Sequence, residues 1–173
     1  MLPLDIAKTK IVELSTLKPG ELFFRKSNGE FQLGVFLISD EQYCQWLKLT
    51  GPDAFTLARL PSRERGTVLR LIAVHNTLRL RIKDTDAPKQ YSDHQIGQLI
   101  FDSEVGACIA VRWPDMDPQH YKHVVAVDSW NPSRMESPSG GVLDNWAISI
   151  VDESGQWVDL ISREASRNPV NNS

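Results

Sequence analysis

Residues 20–39 read GELFFRKSNGEFQLGVFLIS, and this stretch decides the fold. Asn28-Gly29 tolerates the left-handed angles of a tight two-residue turn, so the runs on either side form a hairpin. Lys18-Pro19-Gly20 is the turn before it, with Pro presetting φ and Gly supplying a positive φ. Glu21 to Lys26 is the outgoing strand and Glu30 to Ser39 the returning one. Gly34-Val35-Phe36-Leu37-Ile38 is apolar at every position, which marks a strand covered on both faces.

The same period-two rhythm continues outward from this hairpin. Tyr43, Trp46, Leu47 and Leu49 read as a strand over 42–49, Gly51-Pro52-Asp53 as a turn, and Phe55 to Leu60 as the next strand. Thr67 to Lys83 reads as a second hairpin, Val68 to Val74 against Leu78 to Lys83, with His75-Asn76 near the turn. Asp84 to Asp93 is a polar linker. Strands follow at Gly97–Phe101, Ala107–Trp113, His123–Trp130, Trp146–Val151 and Trp157–Ile161, with Asn131 to Gly141 as a long loop. Helix is confined to short candidates near 2–9, 41–48, 90–96 and 161–166. The expected fold is all-β with minor short helices, built as antiparallel meanders or small, partly open barrels. A first β lobe over 1–60, a basic hairpin and linker over 61–91, a second β lobe over 92–165 and a disordered tail over 166–173 make up the chain.

Two segments resemble each other. Gly20-Glu21-Leu22-Phe23-Phe24 matches Gly97-Gln98-Leu99-Ile100-Phe101 in pattern, and each precedes a strand opened by a glycine, Gly34 or Gly106. An internal duplication would account for this, and so would two ordinary strands after turns.

Composition is that of an ordinary globular chain: 173 residues, 41% hydrophobic and 24% charged. No run approaches the ~20 apolar residues that span a bilayer, and the first residues lack the basic-then-apolar pattern of a secretory leader. Two cysteines, Cys44 and Cys108, show no disulfide-framework spacing. Reduced thiols and a cytoplasmic location follow as expectations. The net charge is −3, unevenly distributed. Residues 59–83 carry seven bases against one acid, and residues 84–164 carry 14 acids against five bases.

The basic segment supplies the leading site. Arg79, Arg81 and Lys83 alternate with Leu78, Leu80 and Ile82, giving one apolar and one cationic face, with charges about 7 Å apart. Such a row can meet successive anionic groups, and Arg65 and Arg70 would widen it. The plain alternative is a solvated face or an internal partner for the acidic second half. Few aromatics interleave with these bases, so a stacking surface for single-stranded nucleic acid is lacking there. His120-Tyr121-Lys122-His123, with Asp115, Asp117 and Asp128 nearby, has no third ligand at a metal-binding spacing, and His75 and His94 stand alone. No metal or other cofactor is expected. Most of the five tryptophans suit pleated, half-buried surfaces.

Cys44 in Gln42-Tyr43-Cys44-Gln45-Trp46, or Cys108 in Gly106-Ala107-Cys108-Ile109-Ala110-Val111, precedes His123, which opens an apolar run to Asp128. A cysteine at a helix start, followed later by a histidine heading a strand, resembles papain-type amidases and peptidases. The resemblance covers only these short pieces. It implies a thiol hydrolase in which the imidazole supplies thiolate. The chain departs from the pattern: no Gly- or Ser-rich turn surrounds Cys44, no long helix follows it, and no residue is identified to orient His123. The leading expectation is a non-catalytic interaction module whose partner is another protein or an anionic ligand, nucleic acid included, met through the basic hairpin. A thiol hydrolase and a structural or homo-oligomeric β protein are the alternatives.

Overall fold

Strands form where the alternation places them, but their partners are set by which faces need covering. The computed structural model describes residues 9–62, 66–71, 79–83, 89–90, 95–113, 122–135, 140–151 and 155–163. The expected tail over 166–173 and the turn at His75-Asn76 lie outside them.

The first sheet is built from β1 (Thr9–Glu13), β2 (Leu22–Ser27), β3 (Glu30–Ser39), β4 (Tyr43–Lys48), β5 (Leu57–Pro61) and β6 (Thr67–Leu71), in the order β1-β6-β2-β3-β4-β5. After β7 (Arg79–Ile82) come β8 (Lys89–Gln90), β9 (Leu99–Asp102), β10 (Gly106–Val111), β11 (Lys122–Ala126), β12 (Pro132–Met135) and β13 (Gly141–Leu143). The second sheet runs β8-β13-β9-β10-β11-β12. A third sheet, β15-β14-β7, is completed by β14 (Trp146–Val151) and β15 (Trp157–Arg163). The fold is all-β and its named strand pairs are antiparallel. None of the described sheets closes into a barrel. The one helical element among the described residues is a 3-10 turn at Leu14–Thr16.

Several expectations are corrected. Residues 67–83 do not form a hairpin: β6 pairs with β1 and β2, whereas β7 pairs with β14. Alternation shows that a strand has one greasy face, not which strand lies beside it. Leu80 of β7 packs into the central core, in register with Ile148, while Val68 of β6 joins a separate cluster with Phe23 and Phe36. The segment 61–91 is therefore shared among three sheets, with β6 in the first, β8 in the second and β7 in the third. The stretch 131–141, expected as loop, contains β12, whose Pro132 is tolerated on an edge strand. The segment 41–48 is strand from Tyr43, as the reading of 42–49 requires.

The central core collects the inner faces of all three sheets: Leu33, Val35, Leu37 and Leu47 from the first, Leu99, Ile109 and Val125 from the second, Trp146 and Ile148 from the third. Burying each such side chain is worth roughly 1.5–3 kcal/mol. The outer faces carry smaller clusters. Phe23, Phe36, Cys44, Trp46 and Val68 are roofed on the first sheet by Leu14 and Leu17, and Ile100, Cys108, Ala110, Val124 and Met135 lie together on the second.

Adding seven to every strand label of the first sheet reproduces the order of the second. β7 and β14, also seven apart, pair with each other. The backbone agrees in detail. Gly20 N–H donates to Phe36 O and Gly97 N–H to Ala110 O, at 2.8 and 2.7 Å. Glu21 accepts the Lys18 N–H at 2.9 Å, and Gln98 accepts the Gln95 N–H at 2.6 Å. The loop between β4 and β5 ends in Phe55 and that between β11 and β12 in Trp130, both with positive φ, 61° and 56°. Each of these rings lies on the glycine of the other half. A Cβ on Gly97 would stand 2.6 Å from Phe55 Cδ2, and one on Gly20 2.7 Å from Trp130 Cδ1.

Gly97 combines a φ of +82° with that contact, whereas Gly155, at +81°, has nothing within 4 Å of its virtual Cβ. Gly155→Ala is expected to cost only the left-handed backbone penalty, about 1–2 kcal/mol. Gly97→Ala should cost about 1–3 kcal/mol more, from displacing the Phe55 ring. Urea midpoints of the two variants measure the difference.

Candidate functional site

Two cations at the end of β7, Arg81 and Lys83, are paired within the molecule. Lys83 Nζ lies 2.9 Å from Asp159 Oδ2 and donates to Ser162 Oγ at 2.7 Å. Arg81 Nη1 lies 3.5 Å from Asp159 Oδ1, which also accepts the Ser149 hydroxyl at 2.6 Å. The Ser149 hydrogen bond and then Lys83 hold the Asp159 carboxyl below the usual carboxylate range. Arg79 pairs through its backbone with Ser149. Arg70, expected to widen the same patch, sits on the first sheet with Glu21 3.4 Å away. Arg65 lies outside the described residues, as do His75, His94, His120, Asp115 and Asp117.

The thiols and the imidazole are not brought together. Cys44 is buried on the outer face of the first sheet, with Sγ 3.4 Å from Ser39 Oγ. Cys108 is buried on the second sheet opposite Ala126, on β11. His123 is on that same strand, opposite Val111. Because side chains alternate along a strand, Cys108 shares the outer face with Val124 and Ala126, and His123 projects through the other face. Burial, and then the charges of Asp102 and Asp128, push the Cys108 thiol up to about 11. Burial and the nearby Arg134 lower the His123 pKa, and its ring lies 5.1 Å from that of Trp113. Neither group has the character of a thiolate–imidazolium pair. Among the described residues no three His, Cys, Asp or Glu side chains converge as metal ligands.

A different set of cations does converge, on the outer face of the first sheet. Gly34, in β3, stands in register between Phe23 of β2 and Lys48 of β4. A Cβ there would lie 3.1 Å from Phe23 Cζ and 3.2 Å from Trp46 Cδ1, so the missing side chain lets the two rings meet edge to face, 6.2 Å apart. Arg25, two residues beyond Phe23 and therefore on its face, places its guanidinium carbon 4.9 Å from the Trp46 ring centre. Lys48 stands two residues beyond Trp46, its Nζ 3.5 Å from the largely exposed Asp53 carboxylate. Gln32, in register with Arg25, is also part of the wall. The result is a hollow of about 210 Å³ with aromatic edges below and cations around it, Lys26 and Arg59 included.

Sequence reasoning passed over this site. Its signal is the pair of period-two steps Phe23/Arg25 and Trp46/Lys48 flanking Gly34, and nothing along the chain says that β2 and β4 embrace the same residue of β3. Among the described residues, the corresponding face of the second sheet carries an apolar cluster that includes Ile100, Cys108, Val124 and Ala126. Two wider grooves adjoin the Phe55 and Trp130 rings. One of about 880 Å³ lies against Phe55 and is lined largely by apolar side chains, and one of about 560 Å³ lies against Trp130. No protein-family model matches the chain, and neither a curated protein nor a solved structure matches it.

Two predictions follow from this geometry. A neutral alkylating reagent should leave both thiols unmodified in the native protein at neutral pH and modify both once urea unfolds it, as mass spectrometry would show. Because the folded-state pKa of Asp159 is depressed, its contribution is present above the usual carboxylate value and is lost as pH falls through the lower folded one. Asp159→Asn should therefore cost about 1–2 kcal/mol at neutral pH, and the deficit relative to the native chain should shrink in acid. Denaturation across that pH range measures both.

Proposed function

We propose that the protein is a non-catalytic binding module that holds an anionic partner, a protein or another charged ligand, in the hollow of its first sheet. The observation that carries this reading is the Arg25 guanidinium stacked on Trp46 beside Lys48, with Gly34 keeping the space between them open. The ring covers only the face of the guanidinium, and a planar guanidinium matches a carboxylate or phosphate in shape. Lys48 adds a second charge from β4, across β3 from Arg25. Its contact with Asp53 is long, and that carboxylate is 63% exposed. Such a pair is worth little in water, so an incoming anion displaces it at small cost.

The cations of β7 are left out of this proposal, since Arg81 and Lys83 already hold Asp159. A thiol hydrolase gains no support from Cys108 and His123 on opposite faces of one sheet. We also infer that the two halves descend from one duplicated unit. The matching strand order and the reciprocal glycine–aromatic seats support this, and they let one half carry a site while the other is closed. The two free thiols suit a reducing compartment such as the cytoplasm.

The test is a titration with poly-glutamate at rising salt, comparing the native chain with the double variant Arg25→Gln, Lys48→Gln. Binding should weaken with salt, and the double variant should bind about tenfold or more weakly. Equal affinity of the two proteins, or binding indifferent to salt, would overturn the proposal.

A further inference from the structure

We infer that the groove against Phe55 is a second binding site, and that it takes an uncharged, largely apolar small molecule. The groove lies where the central core reaches the surface between the first and third sheets. Its lining includes Phe24, Leu49 and Leu160, buried members of that core, with Phe55 and Ile161 packed against them. At about 880 Å³ it falls within the roughly 300–1,000 Å³ of sites that enclose small-molecule ligands, which are lined mainly by apolar and aromatic side chains. The third sheet departs from regular pairing to supply one wall. One extra residue, Leu160, stands between the register pairs Ile148–Ile161 and Ser149–Asp159. In an unbroken strand Leu160 and Ile161 would face opposite ways. Here both pack with the central core and both line the groove. Bulges of this kind re-aim side chains beside functional sites.

Charge and shape select the occupant. Among the described residues that line the groove, Glu30 is the only charged one. Lys83 reaches the lining residue Ser162, but Asp159 holds its ammonium at 2.9 Å. An anionic ligand would therefore meet a carboxylate and lose its hydration against apolar walls, which an uncharged molecule does not. The apolar surface is also recessed. Of the large apolar side chains exposed among the described residues, Phe31, at 54%, is the only one in the lining. A protein partner, or a second copy of this chain, needs about 800 Å² of surface on each side. One exposed ring is no apolar patch of that size, whereas a small molecule entering the groove covers Phe31 and reaches the side chains behind it. The groove beside Trp130 is different in kind, with Lys18, Glu21 and Asp128 in its wall.

The experiment titrates the full chain with Nile red, an uncharged dye whose emission shifts to the blue in apolar surroundings, and with the anionic dye anilinonaphthalene sulfonate. Nile red should saturate at one dye per chain and bind about tenfold or more tightly than the sulfonate. Phe31→Glu sets a charge at the mouth of the groove, and Ala54→Leu fills part of it. Each should weaken Nile red binding about tenfold or more. Asp128→Asn, in the groove beside Trp130, should leave it unchanged. Circular dichroism checks that the variants fold; Phe31 is largely outside the core, so its replacement carries the test if Ala54→Leu does not fold. Binding that fails to saturate, equal affinity for the two dyes, affinity that survives the groove variants, or affinity lost in Asp128→Asn would overturn the inference. A dimer of the native chain in sedimentation equilibrium that Phe31→Glu abolishes would overturn it too, and would assign the groove to a second copy.

Discussion

The arrangement of the halves depends on two aromatic rings seated on two glycines. Phe55 lies on Gly97 and Trp130 on Gly20, so each half supplies one ring and one seat. Both rings are carried on residues held at positive φ, a conformation that costs a bulky side chain about 1–2 kcal/mol. The surrounding contacts offset that cost. Phe55 packs 5.7 Å from the fully buried Trp146, whose indole N–H donates at 3.0 Å to the carbonyl of Gly97, the residue on which Phe55 sits. Glycine, ring and indole thus form a closed set joining the first sheet to the second and third. A backbone bridge runs beside it, where Leu57 N–H and Arg112 O, and Arg112 N–H and Phe55 O, join β5 to the end of β10.

With the inner faces committed to one core, the outer faces are where the halves can differ. On the second sheet the outer face is filled by side chains as small as Ala110 and Ala126 and as pliable as Met135. On the first it is half filled. Leu14 and Leu17 roof one end, and the other end is left to Arg25, Trp46 and Lys48. Gly34 sits where Cys108 sits on the second sheet, each in the middle of the strand that follows its half's first hairpin turn. Where Cys108 fills its place, Gly34 leaves room for two rings and the cation above them. The difference in chemistry between two similar sheets comes down to a few side chains on equivalent strands.

Much of the fold was legible because period-two alternation is local. The hairpin at Asn28-Gly29 and the strand at 43–48 can be read from their own residues, since turn chemistry and side-chain direction are set within a few positions. The pairing of β6 with β1 and β2, and of β7 with β14, was not legible. It is decided by which greasy face finds cover, a property of strands far apart in sequence. The same limit governed the sites. The charge excess at 59–83 stands out along the chain, yet folding divides it, sending Arg70 to Glu21 and Arg81 with Lys83 to Asp159. The cations that do converge, Arg25 and Lys48, are 23 positions apart and sit in no conspicuous run.

That outcome follows from electrostatics. A row of like charges on one strand repels itself and draws acids from the rest of the molecule, and the acidic second half supplies Asp159 to meet it. Cations brought together from different strands over an aromatic floor are in another position. Trp46 stabilises the guanidinium through its ring face. Lys48 lies 3.5 Å from an exposed carboxylate, that of Asp53. Where charges converge is therefore set by which strands the fold brings together, not by abundance along the chain. In this chain Arg81 and Lys83 tie the end of β7 to β15 through Asp159, and the pair around Gly34 forms the site we propose for an anion.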